Sequence, residues 1–208
     1  MVLTRYKTTV HRGVAPLAAV LCRLGVSPSA LTLLGLLLVL LSCLWLLWTQ
    51  RLLAFCGLVT AATLCDALDG AVARAGGRVT KFGAYLDAVC DRYEEGAVVL
   101  AVAVVTGRWL LSGLVLVGAL LVSYTKARTA MEVPVSNEEW PDLMERTERD
   151  VVYIVGLAAS QALPAWRPLG HDLFWWTLVL LTVLIHATVL QRILRARRLI
   201  ASRRHLPV

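Results

Sequence analysis

Long apolar runs alternate with short polar breaks along most of this chain. Six of these runs are long enough to cross the hydrocarbon core of a membrane as an α-helix. They lie at about 29–49, 52–74, 80–106, 108–128, 145–165 and 173–194. The pattern predicts an all-α integral membrane protein with six transmembrane helices.

The residues before the first apolar run follow another pattern. Over residues 3–24, Arg and Lys are mixed with apolar residues at helical spacing, and no continuous apolar core forms. This pattern is typical of an amphipathic helix on a membrane surface and not of a cleavable signal peptide. We expect one membrane domain over 1–208, with a juxtamembrane helix (1–25), a six-helix transmembrane part (26–194) and a basic cytoplasmic tail (195–208).

Composition and charge support a membrane location. A hydrophobic content of 58% with mean hydropathy +0.70 excludes an ordinary soluble domain. The net charge of +7 does not indicate nucleic acid, because Lys and Arg collect at the ends of the apolar runs. With the amino terminus in the cytoplasm, only Arg51, Arg108 and Arg167 of the 21 Lys and Arg fall outside. Both termini are therefore predicted to be cytoplasmic, with the basic residues from 192 to 205 on anionic lipid head groups.

Four aspartates stand out against this apolar background. Asp66 and Asp69 lie in the second run, and Asp87 and Asp91 follow in the third, each pair on one helical face. A short glycine-containing link at 75–81 lets the two helices run antiparallel, so the four acids can converge. An unpaired acid at membrane depth costs about 2.5–3.5 kcal/mol on insertion scales, so the group needs a compensating partner. Carboxylate oxygens suit Mg²⁺ or Mn²⁺, and two such ions would balance four charges.

Small residues accompany these acids. Gly70, Ala73 and Gly83 remove side chain from the faces that carry the aspartates. They leave room for a ligand beside the metal ions, although close helix packing is an alternative explanation. Arg74 and its basic neighbours in the link place this predicted active site at the cytoplasmic face.

The full spacing from Asp66 to Asp91 is D-x2-D-G-x2-A-R-x8-G-x3-D-x3-D. At every fixed position it resembles the signature of the CDP-alcohol phosphotransferase (CDP-alcohol phosphatidyltransferase) family. The resemblance implies a metal-dependent membrane enzyme of phospholipid biosynthesis. Such an enzyme transfers a phosphatidyl-type group from a CDP-linked lipid, for example CDP-diacylglycerol, to an alcohol and releases CMP. It also implies a homodimer in a prokaryotic-type cell membrane, with Asp91 at the position of the family's proposed general base.

The start of the first apolar run carries a second part of the resemblance. Residues 24–32 are similar to the family's G-x-x-P-N-x-x-T motif, with Ser29 in place of Asn. The residues expected to bind the CDP-linked lipid are Ser29, Thr32, Gly70, Ala73, Arg74, Thr80 and Gly83. Ordinary helix capping is the alternative role for Ser29 and Thr32, and membrane-surface anchoring is the alternative for Arg74.

Two further charged stretches suit a small anionic acceptor. Ser123 and Lys126 lie one turn apart, as do Arg146 and Arg149, and each pair can present a cluster to a dianionic phosphate. The alternative is simple snorkelling to the membrane surface. S-Y-x-K-A-R and E-R-x-E-R are similar to the branch that makes phosphatidylinositol phosphate or its archaeal counterpart. The resemblance implies that Ser123, Lys126 and Arg146 bind the phosphate of inositol phosphate.

Several positions depart from that branch and keep other acceptors open. Thr147 stands where the branch has Pro, and Glu94 and Glu95 stand where it has Ser and Asp. An additional acid facing the cavity would disfavour a phosphorylated acceptor. Glycerol phosphate, or another polyol or amino alcohol, is therefore the alternative acceptor. From a different class, intramembrane acids could serve a cation transporter.

Overall fold

The computed structural model describes residues 16–135 and 143–202, apart from the side chains of 64–67, and most of this part is helical. The described part contains seven α-helices and no strand. They are α1 (16–23), α2 (Pro28–Thr49), α3 (Leu52–Ala75), α4 (Lys81–Thr106), α5 (Trp109–Glu132), α6 (Arg146–Ala162) and α7 (Leu173–Ser202), with one 3-10 turn at Pro168–Gly170. The predicted all-α fold is confirmed over these residues.

The helices α2 to α7 coincide with the six apolar runs, with shifts of a few residues at most of their ends. The largest difference is at α7, which continues to Ser202 and not to residue 194. Arg195, Arg197 and Arg198 are good helix formers, so the helix continues after the apolar run has ended.

Four helices in the described chain, α2, α3, α5 and α7, are long and apolar enough to cross a membrane. Two others fall short of that standard: α4 carries several charged residues in its first half, and α6 has only 17 residues. The count of six spans and the cytoplasmic placement of the termini stay predictions. The predicted amphipathic helix is described only over 16–23, and the end of the basic tail, 203–208, lies outside the described residues.

The fold divides at residue 105 into two compact units. In the first unit α2 packs along α3, and in the second α7 packs against both α5 and α6. A small core joins α1 to the beginning of α2 and the end of α3, and consists of Ala18, Leu31, Ala71 and Val72. This core holds the start of α2 beside the predicted signature on α3.

The start of α2 is fixed by Ser27 and Pro28. The Ser27 hydroxyl oxygen accepts a hydrogen bond from the Ala30 N–H at 3.1 Å, and Pro28 is the first helical residue. Pro suits this position because its missing N–H would have no partner there. Ser27, and not Ser29 or Thr32, is therefore the cap, so capping is the wrong explanation for the latter two residues.

The start of α7 is fixed by Asp172, which ties it to the start of α5. The carboxylate accepts the Trp175 N–H at 2.9 Å and a hydrogen bond from the Arg108 guanidinium, which also lies 5.3 Å from the centre of the Phe174 ring. Burial raises the pKa of Asp172, but the hydrogen bonds from Arg108 and Trp175 outweigh it and hold the pKa below its ordinary value.

Glycines allow the helices of the second unit to approach closely. A Cβ at Gly118 would lie 2.6 Å from the Ile185 side chain, and a Cβ at Gly156 would overlap the Thr177 side chain. The first glycine brings α5 onto α7, and the second brings α6 onto α7. Small residues at helix crossings are the usual basis of such packing in membranes.

Replacing Gly156 with alanine is expected to destabilise the second unit by about 1–3 kcal/mol, because the added methyl group forces α6 away from α7. Thermal unfolding of the purified protein in detergent measures this as a lower melting temperature. Gly113→Ala on α5 is the matched control, since nothing lies within 4 Å of its added Cβ. Equal melting temperatures for the two variants would contradict the prediction.

Candidate functional site

The link between α3 and α4 is a short polar turn built on glycine and threonine. The Gly76 N–H donates to the Val72 carbonyl oxygen at 3.0 Å, and Gly77 has a φ of 60°, which favours glycine. Thr80 precedes α4, and its hydroxyl oxygen accepts the Gly83 N–H at 2.9 Å. This bond gives Thr80 a capping role in addition to its predicted contact with CDP.

Asp69 is a buried carboxylate on α3. It is only 6% exposed, and its Oδ2 accepts a hydrogen bond from the Thr32 hydroxyl on α2, which is 5% exposed. The two residues belong to the two motifs that carried the family resemblance, and they are 37 positions apart in the sequence. The fold thus brings these motifs into direct contact.

Two charged groups, one negative and one positive, influence the Asp69 carboxylate. Asp91 on α4 and Arg74 on α3 are both close enough to interact with it electrostatically. Arg74 lies over Gly70, since a Cβ at Gly70 would be 3.3 Å from the Arg74 Nη1. That these two acids and this arginine form one binding site stays a prediction.

The remaining acids are only partly described. Asp87 and Asp91 are both half-buried on α4, and each has interaction partners. Asp66 lies within α3, but its side chain is outside the described residues. Among the described side chains, no three acidic, histidine or cysteine groups come together as a metal centre. The four-aspartate centre therefore stays a prediction.

The chemistry of the described residues fits a divalent cation. Asp69 is buried within electrostatic range of Asp91, whose like charge costs free energy that Arg74 and a bound cation would offset. The carboxylate and hydroxyl groups here offer oxygen donors, which Mg²⁺ and Mn²⁺ prefer. The absence of a side chain at Gly70 leaves room for the Arg74 guanidinium.

The predicted acceptor residues lie in the second unit, on the end of α5 and the start of α6. The Ser123 hydroxyl donates to the Ala119 carbonyl at 3.4 Å, and the Arg146 Nε lies 3.4 Å from the Asp150 carboxylate. Lys126 is also engaged with neighbouring groups. A phosphate-binding role for these three residues stays a prediction.

Two buried arginines accompany this group. Arg149 is 3% exposed with its Nη1 3.5 Å from the Met144 carbonyl, and Arg192 is 5% exposed and donates to the Val122 carbonyl, next to Ser123. The prediction that Arg192 lies on lipid head groups is therefore wrong. The burial of Arg192 could have been predicted from its spacing, because it lies seven residues after the buried Ile185 and seven residues return a helix to the same face.

Known proteins of one family are similar to this chain over most of its length. The family model described as CDP-alcohol phosphatidyltransferase matches residues 25–183. The archaetidylinositol phosphate synthase of Pyrococcus horikoshii is 33% identical over 154 residues, which cover 74% of this chain and 80% of the relative.

Solved structures agree with this result. The crystal structure of Mycobacterium tuberculosis phosphatidylinositol phosphate synthase with CDP-DAG bound superposes with a TM-score of 0.76 at 31% identity, covering 89% of this chain and 94% of that one. The same relative in complex with manganese and citrate gives a TM-score of 0.73 at 30% identity, covering 88% of each chain. The chain therefore belongs to the CDP-alcohol phosphatidyltransferase family, and it is a membrane transferase of phospholipid synthesis rather than a cation transporter.

Proposed function

We propose that this enzyme transfers a phosphatidyl-type group from a CDP-linked lipid to inositol phosphate and releases CMP. The observation that carries the proposal is the hydrogen bond from Thr32 to the buried Asp69, within range of the charges of Asp91 and Arg74. The hydrogen bond joins a residue proposed to bind the nucleotide to one proposed to bind the metal ions, and the proposed general base lies within electrostatic range of the latter. The acceptor is proposed from the relatives, which are named for products that contain inositol phosphate.

Four aspartates are the proposed ligands of two Mg²⁺ or Mn²⁺ ions, namely Asp66, Asp69, Asp87 and Asp91. Thr32 fixes the orientation of the Asp69 carboxylate through its hydrogen bond. When bound, such ions neutralise pyrophosphate oxygens and stabilise CMP as a leaving group. A manganese-containing structure of a relative supports this assignment.

The CDP-linked lipid is proposed to lie along the small-residue faces of α3 and α4. Arg74, which lies over Gly70, supplies a fixed positive charge to a phosphate. Gly70 and Gly83 leave the space that a nucleotide needs. The other proposed contacts are Ser29, Thr32, Ala73 and Thr80.

Asp91 is proposed to take the proton of the acceptor hydroxyl. As the proton leaves, the hydroxyl oxygen forms a bond to the lipid-side phosphorus, and the bond from that phosphorus to the bridging pyrophosphate oxygen breaks. CMP leaves with the bridging oxygen. The products are a phosphodiester, CMP and the proton on Asp91, which then passes to water.

Ser123, Lys126 and Arg146 are proposed to bind the phosphate of the acceptor. Arg192 positions this group, because its buried guanidinium anchors the α5 backbone at Val122, next to Ser123. Charged donors suit a dianionic phosphate better than a neutral polyol. The homodimer and the cytoplasmic orientation of the site stay predictions from the resemblance and the charge distribution.

CMP release tests the proposed reaction. The purified protein is supplied with CDP-diacylglycerol, with Mg²⁺, Mn²⁺ or a chelator, and with inositol phosphate, glycerol phosphate or free inositol. We expect CMP only when a metal ion and inositol phosphate are both present. Faster CMP release with glycerol phosphate would contradict the proposal that inositol phosphate is the acceptor. Undiminished CMP release with the chelator would contradict the proposal that the reaction requires a metal ion.

Replacing Arg146 with alanine is expected to raise the acceptor KM about tenfold or more, since hydrogen bonds between charged groups contribute about 1.5–3 kcal/mol. The KM for the CDP-linked lipid should change little. Arg167→Ala is the control, because Arg167 is an exposed arginine that donates only to the nearby Pro164 carbonyl among its described contacts. Equal increases in both KM values would count against a phosphate pocket at Arg146.

A further inference from the structure

Glu95 lies about one turn beyond Asp91 on α4 and is buried although it is an acid. Its side chain is only 6% exposed. A carboxylate removed from water requires a cationic neighbour or hydrogen bonds. Arg92 is such a neighbour, because its Nε lies 3.6 Å from the Glu95 Oε2.

The same guanidinium also faces Asp91. The Arg92 Nη2 lies 3.6 Å from the Asp91 Oδ2, so one cation is shared between two carboxylates through different nitrogen atoms. Both distances exceed the range of a hydrogen bond but leave a strong Coulomb attraction at a partly buried site. Arg92 therefore lies within Coulomb range of both acids.

This arrangement matters because Asp91 has another proposed task. A guanidinium in direct contact with the Asp91 carboxylate would occupy an oxygen atom that a divalent cation needs. A guanidinium drawn partly toward Glu95 stays beyond hydrogen-bond distance of that oxygen. From its position in the sequence, an additional acid here was expected to disfavour a phosphorylated acceptor, whereas in the structure Glu95 faces Arg92.

We propose that Glu95 is a positioning residue, which holds Arg92 back from Asp91 and so keeps the Asp91 carboxylate available to a divalent cation. The proposal rests on the metal-binding role of Asp91 in the proposed function. Without the charge of Glu95, Arg92 moves onto Asp91 and competes with the cation. Glu95 itself touches neither metal nor substrate in this scheme.

Direct Mn²⁺ binding tests the proposal without relying on turnover. Free Mn²⁺ is measured by electron paramagnetic resonance during titration of the purified full-length protein in detergent, with no substrate present. Glu95→Gln keeps the shape of the side chain and should weaken Mn²⁺ binding about tenfold, the lower end of the usual effect of residues that support a metal ligand. The double variant Arg92→Ala/Glu95→Gln should regain wild-type affinity, because the competing guanidinium is gone.

The controls separate this proposal from simpler explanations. Glu132→Gln removes an acid of a different ion pair, that with Arg128 at 2.6 Å, and should leave Mn²⁺ binding unchanged. If Glu95→Gln does not fold, Arg92→Ala alone replaces it, and its Mn²⁺ affinity should equal or exceed that of the wild type. Wild-type affinity in a folded Glu95→Gln variant, or a double variant as weak as the single one, would overturn the role of Glu95. So would weaker binding in Arg92→Ala.

Asp91→Asn distinguishes failure of this proposal from failure of the proposed function. Loss of Mn²⁺ binding in Asp91→Asn with full binding in Glu95→Gln would overturn the positioning role alone. Wild-type binding in Asp91→Asn would instead overturn the metal assignment on which the positioning role depends.

Discussion

Replacing Asp91 with asparagine is expected to reduce CMP release by about 10²- to 10⁴-fold, the usual contribution of a general base. The amide cannot accept the proton of the acceptor hydroxyl, and it is a weaker ligand for a divalent cation. The measurement is the steady-state rate of CMP release with CDP-diacylglycerol and inositol phosphate at saturating Mg²⁺ or Mn²⁺.

The fold should survive this substitution. Asp91 repels Asp69, so the neutral amide removes an unfavourable interaction along with the attraction to Arg92. We expect a melting temperature within a few degrees of the wild type. Glu132→Gln, which removes an exposed acid outside the site, should retain normal CMP release. An active Asp91→Asn variant, within about tenfold of wild type, would exclude Asp91 as the base.

The helices could be predicted from sequence because their cause is local. Runs of apolar residues of membrane-spanning length, broken by Gly and Pro, fix where each helix begins and ends to within a few residues for most of the chain. Pro28 is an example, since its fixed φ and missing N–H favour the first position of a helix in any fold. The end of α7 was predicted too early, because the apolar run shows only where the helix leaves the lipid. The helix itself continues to Ser202.

The contacts of the site could be predicted only in part. Periodicity places Asp69 and Asp91 on faces of their helices, and resemblance connects Thr32 with the nucleotide. Neither indicates that Thr32 donates to Asp69, because residues on different helices are brought together by tertiary packing and not by local spacing. The burial of Arg192 was missed for a similar reason, since basic residues at the end of a transmembrane helix usually face the membrane surface.

The position of Arg92 between two acids could not be predicted from the sequence. Helical spacing shows that Arg92 and Glu95 can meet, because they are three residues apart. It does not show that one guanidinium faces both Glu95 and Asp91, which depends on the rotamer chosen in a partly buried site. Side-chain rotamers of this kind are set by tertiary packing and not by local spacing.

Replacing Gly70 with alanine is expected to reduce CMP release about 10²-fold, because small displacements of positioning groups have effects of that size. The new Cβ would lie 3.3 Å from the Arg74 Nη1, closer than atoms normally pack. Since that nitrogen is the end of a flexible side chain, the guanidinium moves and the helix does not.

The same substitution elsewhere on α3 gives a matched control. Gly57→Ala adds a Cβ with nothing within 4 Å, so its CMP release should remain at the wild-type level. Alanine favours a helix over glycine by about 0.8–1.0 kcal/mol, so neither variant should have a lower melting temperature. A loss of activity in Gly70→Ala without loss of stability therefore reports on the site itself. Equal activity in the two variants would show that the space over Gly70 and the position of Arg74 are unimportant for transfer.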